Sequence, residues 1–406
     1  MYLKNTPVAL IMTVIFVSCQ PSPKPVESES EVQVATVEES IVVKNLNWSS
    51  QDGDASIAQF EMSPPITGRY QVEVFGKSDS NYSVWLEDYI DNTDDRTYNI
   101  TGSICLDDKG YGSRDGSPMA DTKRKMQMHA IGNGIVDSIR FSLMYAHKET
   151  TKKLTQNMEG TDWNLVWSDE FDSGPKPDPS KWSYNVGNWG WGNNELQYYT
   201  DGRQENARVE NGNLIIQAHR DEWGQLWTSA RLSTQSNISF KYGKVEFRAK
   251  VPAGRGTWAA GWLLGDVYED ELSWPYCGEI DVLECVGYEI DDETGSGLNH
   301  ATCHTRAYYF KQGNQIGSEM KLDSMDTKFH TYAIEWYPDV IYGLLDGERY
   351  YTYDKNANEQ EWPFNSFQNI ILNLAVGGGW GGAQGIDDGL QDPEYIVDYV
   401  RVYELK

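Results

Sequence analysis

The stretch GEIDVLECVG, residues 278 to 287, places three acids, Glu279, Asp281 and Glu284, among aliphatic side chains. Side chains alternate between the two faces of a strand, so Glu279 and Asp281 share one face. Strict alternation would put Leu283, and not Glu284, on that face. A β-bulge, which inserts one unpaired residue, returns Glu284 to the side of the other two acids. The spacing therefore predicts a bulged strand with three carboxylates on one face.

Carboxylates in this arrangement suit nucleophilic and acid–base chemistry. With the bulge, the Cα atoms of Glu279 and Glu284 lie about 13 Å apart at about 3.3 Å per residue, and leaning side chains close most of that gap. A carboxyl separation near about 5 Å is typical of retaining glycosidases, in which one carboxylate attacks the anomeric carbon and the other protonates the leaving oxygen. The alternative is a solvated sheet face on which acids alternate with apolar residues. The strand alone leaves both interpretations open.

Length, charge and aromatic content narrow the class of protein. The chain has 406 residues, enough for two domains. Its net charge of −27 argues against nucleic-acid binding, which depends on Lys and Arg, and favours a neutral or weakly charged substrate. Fifteen tryptophans offer flat rings of the kind that stack on sugars, although many of them belong in a core.

The N-terminus has the features of an exported protein. An apolar run after Lys4 ends before Cys19 and is too short for a convincing membrane span. The tripeptide before Cys19, Phe-Val-Ser, resembles a bacterial lipobox, with Phe where Leu is usual. We expect residues 1–19 to be a lipoprotein-type signal peptide, and a lipid on Cys19 to be the only membrane contact of an outer-membrane-anchored or extracellular bacterial protein. An ordinary signal peptide cleaved nearby is the alternative.

Composition changes along the chain predict an all-β protein with two domains. Residues 20–44, rich in Pro, Ser and Glu, read as a disordered tether. Short alternating runs in residues 45–147 predict an accessory β-sandwich, whose position suits a carbohydrate-binding module. Residues 148–162 form a polar linker. Residues 163–406 predict one large antiparallel sandwich with a concave face for a polymer. Three aromatic residues of the first domain are either sugar platforms or core residues: Trp48, Tyr82 and Trp85.

Six further motifs accompany the acid strand in a fixed order, and together they resemble glycoside hydrolase family 16. The resemblance covers about residues 163 to 405 and implies a β-jelly roll with a concave substrate groove and a retaining endo-glycanase. The spacing Glu-x-Asp-x-x-Glu and the run WGNNELQYYT are most similar to the laminarinase, or endo-1,3-β-glucanase, branch. The motifs are LVWSDEFD (165–172), WGWGNNELQYYT (189–200), YGKVEFRAKVP (242–252), TWAAGWLLG (257–265), LAVGGGWGG (374–382) and VDYVRVY (397–403).

The resemblance also implies roles for individual residues. Glu279 would be the nucleophile, Glu284 the general acid and base, and Asp281 the acid between them. Several substrate-binding candidates have a structural alternative: turn formation by Asn194, an ion pair of Arg231, core packing of Trp258 or Trp262, and a satisfied surface position of His304. The candidates are Asn194, Glu195, Arg231, Trp258, Trp262, Trp274, His304 and Trp380.

Metal binding is implied only as a structural calcium. Backbone oxygens of Glu170 and Gly212 and the side chain of Asp398 occupy the matching positions, and oxygen-only ligation suits calcium. Catalysis is expected to need no cofactor. His300 and His304 lack a third ligand, so their spacing does not indicate zinc.

The expected substrate is β-1,3-glucan, cleaved by a protein that we expect to be a monomer. Sulfated galactans would be expected to require more basic residues around the groove than this acidic chain offers. Mixed-linkage β-glucan and the galactans agarose, porphyran and carrageenan remain alternatives with the same mechanism. A non-catalytic glucan-binding protein is an alternative from another class, although the intact acids argue against it.

Overall fold

The computed structural model describes residues 40–43, 48–50, 58–78, 82–89, 97–354, 358 and 360–406. This part of the chain contains β-strands and two short 3-10 helices, and no α-helix. None of its helices is long and apolar enough to cross a membrane. The predicted signal peptide, the lipidation site Cys19 and most of the predicted tether lie outside the described residues.

Ten strands lie among the described residues before residue 147. They are β1 (Ser40–Val43), β2 (Trp48–Ser50), β3 (Ala58–Met62), β4 (Gly68–Ser78), β5 (Ser83–Tyr89), β6 (Thr97–Asn99), β7 (Ile104–Cys105), β8 (Tyr111–Met119), β9 (Arg124–Ile131) and β10 (Gly134–Ala146). They form two antiparallel five-stranded sheets, here called the N-terminal sheets, one of β1, β2, β4, β8 and β10 and the other of β3, β5, β6, β7 and β9.

The N-terminal sheets enclose their own hydrophobic cluster. Val72 of β4 lies opposite Phe141 of β10, and Val74 lies opposite Ile139. All four side chains are fully buried, as their alternation with polar residues predicts. Burying alternate residues of both sheets gives this part of the chain a core separate from the larger one that follows.

The described residues after 147 add twenty strands and the two 3-10 helices. The strands up to residue 250 are β11 (Lys152–Thr155), β12 (Trp163–Asp169), β13 (Ser183–Tyr184), β14 (Gln197–Tyr199), β15 (Ala207–Glu210), β16 (Asn213–Gln217), β17 (His219–Glu222), β18 (Gln225–Ser229), β19 (Arg231–Ser233), β20 (Ile238–Lys241) and β21 (Gly243–Lys250). The later elements are β22 (Thr257–Gly265), β23 (Glu279–Val286), η1 (Gly287–Glu289), β24 (Gly297–His304), η2 (Phe310–Gln312), β25 (Ile316–Leu322), β26 (His330–Trp336), β27 (Val340–Leu345), β28 (Glu348–Asp354), β29 (Gln368–Val376) and β30 (Glu394–Leu405).

Two large sheets face each other across the main core, which makes this part an all-β sandwich. One has the order β11-β20-β29-β22-β23-β24-β25, with β13 and β19 attached, and the other has the order β15-β16-β30-β21-β26-β27-β28, with β12 attached. In β21, Val245, Phe247 and Ala249 are fully buried while their neighbours are half-exposed. The inner faces of both sheets meet in one cluster, which leaves the outer face of the first sheet to carry polar groups.

The segment predicted as a polar linker is part of this sandwich. Its residues Lys152–Thr155 form β11, which pairs in parallel with β20 at the edge of the first sheet. Thr150 donates a hydrogen bond to Asp266, and Lys153 Nζ lies 2.8 Å from the same carboxylate. The polar composition is thus explained by an edge strand and its ion pair, not by a free tether.

Two of the three aromatic residues considered as sugar platforms in the N-terminal sheets pack against other side chains. Tyr82 is fully buried, and the indole of Trp85 stacks on His129 with ring centroids 5.2 Å apart. The side chain of Trp48 lies outside the described part of the structure.

Candidate active site

The predicted bulge is present in β23. Trp262 of β22 lies opposite Asp281, whereas Gly261 lies opposite Leu283, so Val282 has no partner on β22. Beyond this shift Glu284 lies opposite Ala260. The bulge returns Glu284 to the face that carries Glu279 and Asp281, and all three acids line one cavity of about 760 Å³, counting the space open to solvent.

Asn299 of β24 supports the bulge. Pairing of β23 with β24 is regular from Glu279 to Asp281. Beyond Asp281, the buried side chain of Asn299 replaces the backbone pairing with β24. Its Oδ1 accepts the N–H of Glu284 at 3.1 Å, and its Nδ2 donates to the carbonyl of Val282 at 3.1 Å. The same amide donates to the hydroxyl of Tyr350 at 2.7 Å. Backbone groups that the bulge removes from the ladder are thus still satisfied.

Each of the two glutamates has a tryptophan donor. Trp274 Nε1 donates to Glu279 Oε2 at 2.9 Å, and Trp258 Nε1 donates to Glu284 Oε1 at 3.1 Å. His304 Nε2 lies 3.8 Å from Glu279 Oε1 and 3.4 Å from Asp281 Oδ2. Trp274 and Trp258 thus hydrogen-bond the two glutamates, and His304 lies beside Glu279 and Asp281 rather than beside Glu284.

The three acids differ in the environment that sets their charge. Burial raises the pKa of Glu279 to about 7, although the Trp274 N–H and the positive charge of Arg231 oppose this rise. Burial raises the pKa of Glu284 to about 8, and the nearby charge of Glu279 adds to it. Burial and both glutamates raise the pKa of Asp281 well above its usual range. Glu279 therefore ionises before Glu284, the order that a nucleophile and a proton donor require.

His304 is neutral in this environment. Burial lowers the pKa of its imidazole to about 4, so it carries no charge beside the acids near neutral pH. Its ring packs at 5.9 Å from that of Trp274. A neutral imidazole can position an acid or a sugar hydroxyl without competing for the nucleophile's charge.

Arg231 and Glu195 line the same cavity. The guanidinium of Arg231 lies 4.9 Å from the ring centre of Trp191 and 4.7 Å from that of Trp262, and its Nε donates to Asn185 Oδ1 at 3.2 Å. Glu195 Oε2 accepts from Gln197 Nε2 at 2.7 Å. Burial raises the pKa of Glu195.

Trp380 and Trp262 complete the predicted aromatic residues. Trp380 packs edge-on against Trp258 with ring centroids 5.4 Å apart and is not itself among the residues that line the cavity. Trp262 Nε1 donates to Asn373 Oδ1 at 2.8 Å. Trp258 and Trp262 both line the cavity and are half-buried, so the alternative that one of them lies in the core does not apply.

Asn194 is not brought into the cavity. It is exposed and has a φ of 58°, the left-handed conformation that asparagine tolerates in turns. The neighbouring Asn193 lines the cavity and donates to Glu195 Oε1 at 3.1 Å. The contact assigned to Asn194 is therefore corrected to Asn193, because the turn directs the first of the two amides inward.

Several cavity residues have no motif that would have identified them. At the Glu279 end, Tyr268 donates to Glu271 Oε1 at 2.9 Å, and Lys311 Nζ lies 5.3 Å from the ring centre of Trp274. Burial raises the pKa of Glu271 and lowers that of Lys311. Glu271 lies between β22 and β23, Lys311 lies in η2, and only the fold brings the two together. The sequence signal for Lys311 was a charge next to an aromatic residue, which is common elsewhere in the chain, and Glu271, between Asp270 and Leu272, had no such signal.

The side chains around the implied calcium site are engaged with arginines. Glu170 forms a bidentate pair with Arg401 at 3.0 and 2.8 Å, and the carboxylate of Asp398 pairs with Arg248. Gly212, with a φ of 73°, lies in the turn between β15 and β16. One oxygen of Asp398 is thus engaged with a cation, the structural calcium stays a prediction, and no step of the chemistry is assigned to a metal.

Among the described residues, one group of acids and histidine is close enough together to be considered as a metal site. Ligand-type atoms of Glu279, Asp281 and His304 lie within 4.8 Å of one another. One oxygen of Glu279 already accepts the Trp274 N–H. We interpret this group as the acid centre itself.

Replacement of Asn299 by leucine should weaken the fold at the bulge. The change leaves the Glu284 N–H and the Val282 carbonyl buried without partners, at about 1–3 kcal/mol each, so we expect the free energy of unfolding in urea to fall by about 3 kcal/mol. Asn164→Leu, at a partly exposed amide, is the matched control, for which we expect a change of about 0.5 kcal/mol or less. Equal losses in both variants would contradict the role of Asn299.

A comparison with protein families matches the same part of the chain. Residues 193–401, just over half of the 406, match the model of glycosyl hydrolases family 16. A β-glucanase from Rhodothermus marinus is 47% identical over 249 residues, which cover 59% of this chain and 85% of that protein.

Solved structures agree with this match. A laminarinase from Rhodothermus marinus superposes with a TM-score of 0.57 at 47% identity and covers 60% of this chain and 98% of its own. A non-specific endo-β-1,3(4)-glucanase from the same family, crystallised with a β-1,3-linked gluco-oligosaccharide, has a TM-score of 0.56 at 40% identity and covers 61% of this chain and 97% of its own. On the evidence of the matched residues, the sandwich and the acid strand, this chain belongs to glycosyl hydrolases family 16.

Proposed function

We propose that this protein is an endo-acting β-1,3-glucanase that hydrolyses its substrate with retention of configuration. The observation that carries the proposal is the placement of Glu279 and Glu284 on one face of β23, on either side of the bulge and each with its own tryptophan donor. Family membership makes glycoside hydrolysis the reaction, and the names of the laminarinase and β-glucanase relatives favour β-1,3-glucan.

The first step forms a glycosyl–enzyme. Ionised Glu279 attacks the anomeric carbon while Glu284 gives its proton to the glycosidic oxygen, so the C–O bond to the leaving chain breaks as the bond to Glu279 forms. The Trp274 N–H binds one oxygen of Glu279 and leaves the other for attack. In the second step Glu284 takes a proton from water, and the resulting hydroxide equivalent displaces Glu279 from the sugar.

Asp281 acts between the two glutamates. Burial and the neighbouring glutamates raise its pKa, which favours the protonated form. In that form it can donate a hydrogen bond to the nucleophile without adding a third negative charge. The neutral imidazole of His304 lies beside Asp281, with Nε2 3.4 Å from Asp281 Oδ2.

The cavity suits a neutral sugar chain. The half-buried indoles of Trp258 and Trp262 and the buried indole of Trp274 line it and offer apolar surface to pyranose rings, and Arg231 offers donors to hydroxyl groups. The hydrolysis uses side chains alone, and we propose that no cofactor takes part.

The remaining features of the proposal concern the whole protein. We propose that residues 1–19 export the chain, that Cys19 carries a lipid anchor, and that the enzyme works as a monomer at or outside the outer membrane of a bacterium. The N-terminal sheets are proposed to form an accessory sandwich domain; their separate core supports this.

Glu279→Ala should abolish hydrolysis by removing the nucleophile. We expect kcat on laminarin to fall by about a thousandfold or more, with laminari-oligosaccharide binding retained in calorimetry. Azide should restore turnover of an activated glycoside and give the inverted glycosyl azide. Glu269→Ala, an exposed acid in the nearby loop, is the control and should retain activity. A glycosyl azide of retained configuration would contradict the assignment of Glu279.

Reducing ends released from a panel of polysaccharides test the substrate. We expect laminarin to be cleaved best, with mixed-linkage glucan as a second substrate, because a relative at 40% identity is a non-specific β-1,3(4)-glucanase. Release from agarose, porphyran or carrageenan alone would overturn the choice of glucan. Binding without release on any member of the panel would identify a glucan-binding protein instead.

The two tryptophan donors should control opposite limbs of the pH profile of kcat/KM. The ascending limb follows ionisation of Glu279, and the descending limb follows loss of the Glu284 proton. Trp274→Phe removes an N–H that stabilises ionised Glu279, so its pKa rises and the ascending limb should move to higher pH by about one unit. By the same reasoning Trp258→Phe should move the descending limb to higher pH. Movement of the wrong limb in either variant would contradict the assignment of roles.

A further inference from the structure

We propose that the N-terminal sheets position the catalytic nucleophile, with Arg124 of β9 fixing the loop that carries Trp274. That loop, residues 266–278, joins β22 to β23 and is here called the nucleophile loop. The inference rests on the proposed function and deepens it, because it assigns part of the active-site geometry to residues far outside the hydrolase motifs.

The first link is a buried ion pair between the two parts of the chain. The side chain of Arg124 is fully buried and lies between Asp88 of β5, at 2.8 Å, and Asp270 of the nucleophile loop. Asp270 Oδ2, which pairs with Arg124, also accepts the backbone N–H of Ala120 at 3.3 Å. One carboxylate oxygen of the loop is therefore held by two groups of the N-terminal sheets and their connections, in a setting where loss of a partner is costly.

The second link runs from Asp270 into the turn. Its other oxygen, Oδ1, accepts the N–H of Ser273 at 2.9 Å. Ser273 Oγ donates to the carbonyl of Asp270 at 2.6 Å, and the carbonyl of Ser273 accepts the N–H of Cys277 at 2.9 Å. These bonds fix the backbone immediately before Trp274, so the direction in which its indole leaves the chain depends on where Asp270 is held.

The third link is the hydrogen bond to the reacting group. Trp274 Nε1 donates to Glu279 Oε2 at 2.9 Å. A continuous series of contacts thus joins Arg124 to the nucleophile through Asp270, Ser273 and Trp274. Small displacements of positioning groups have large effects on rate, because the reacting atoms must be aligned within a fraction of an ångström.

A second arginine makes an independent contact with the same loop. Arg69 of β4 donates to the carbonyl of Gly116 at 3.2 Å, and its guanidinium lies 5.3 Å from the ring centre of Trp191 and 6.0 Å from that of Tyr268. Tyr268 belongs to the nucleophile loop, and Trp191 lines the cavity. The N-terminal sheets therefore touch the cavity wall at two places rather than through one isolated pair.

Other titratable and charged groups also face the nucleophile, and two of them lie on the nucleophile loop itself. These groups are Arg231 of β19, Glu271 and Cys277 of the nucleophile loop, Asp281 and Glu284 of β23, and Cys303 and His304 of β24. The charge of Asp270 raises the pKa of Glu271, as a negative charge does for any neighbouring carboxyl group. Removal of that charge would by itself lower such pKa values and move the ascending pH limb to lower pH. Loss of the Trp274 N–H moves the limb to higher pH, so the direction of the shift in Asp270→Asn reports the Trp274 contact.

The test compares Asp270→Asn and Arg124→Met with Lys123→Met. Asparagine keeps an oxygen for the Ser273 N–H but replaces the acceptor of Arg124 by an amide donor, so it breaks the link to the N-terminal sheets and preserves the turn. Lys123 precedes Arg124 and forms an exposed pair with Glu61. All variants are made in the full chain and assayed on laminarin well below their unfolding temperatures.

We expect both Asp270→Asn and Arg124→Met to lower kcat/KM by about tenfold and to move the ascending limb to higher pH, in the direction of Trp274→Phe. Lys123→Met should keep the wild-type profile. If Arg124 and Asp270 served folding alone, their substitution would lower the melting temperature and leave the ascending pH limb in place. That result in Asp270→Asn overturns the proposal, and it can be obtained even if Arg124→Met does not fold. Absence of turnover by the wild type on every glucan would instead overturn the proposed function.

Discussion

The extra residue in β23 is the constraint on which the active site depends. An unbulged strand would turn Glu284 into the core between the two large sheets, where a carboxylate has no partner. The bulge avoids this and leaves two backbone groups outside the ladder. The buried amide of Asn299 satisfies both of them, at the Glu284 N–H and the Val282 carbonyl. One asparagine on the neighbouring strand thus stabilises the backbone geometry that brings the two glutamates to the same face.

The charges that neighbour the two glutamates then separate their chemical roles. Both have raised pKa values because they have left water, but Glu279 has Arg231 nearby to favour its ionised form, whereas Glu284 lies near the negative charges of Glu279 and Glu195. Opposite neighbours therefore order the two ionisations in the sense that a double-displacement reaction requires. Because the two carboxyl groups interact strongly, the two titration steps are properties of the pair and not of either residue alone.

Much of this site was accessible from the sequence because it lies on one strand or in compact motifs. The bulge followed from the spacing of Glu279, Asp281 and Glu284, and the long strand Gly243–Lys250 followed from its alternation. The prediction that Asn194 faces the cavity was wrong. A turn decides which of the two adjacent amides points inward, and the sequence does not reveal the φ angles of that turn. Asn299, Asp270 and Arg124 were missed for a different reason: each acts across a contact between segments far apart in the chain, and none belongs to a local pattern. The polar stretch that includes β11 was read as a linker because an edge strand with few apolar residues resembles one.

The most direct measurement is the site of covalent attachment during turnover. A 2-deoxy-2-fluoro glycoside of a β-1,3-linked glucobiose with a good leaving group should form the glycosyl–enzyme and slow its hydrolysis. Digestion and mass spectrometry of the trapped protein should then locate the sugar on Glu279. A sugar attached to Glu284, or turnover of the reagent by a mechanism that never labels the protein, would contradict the account.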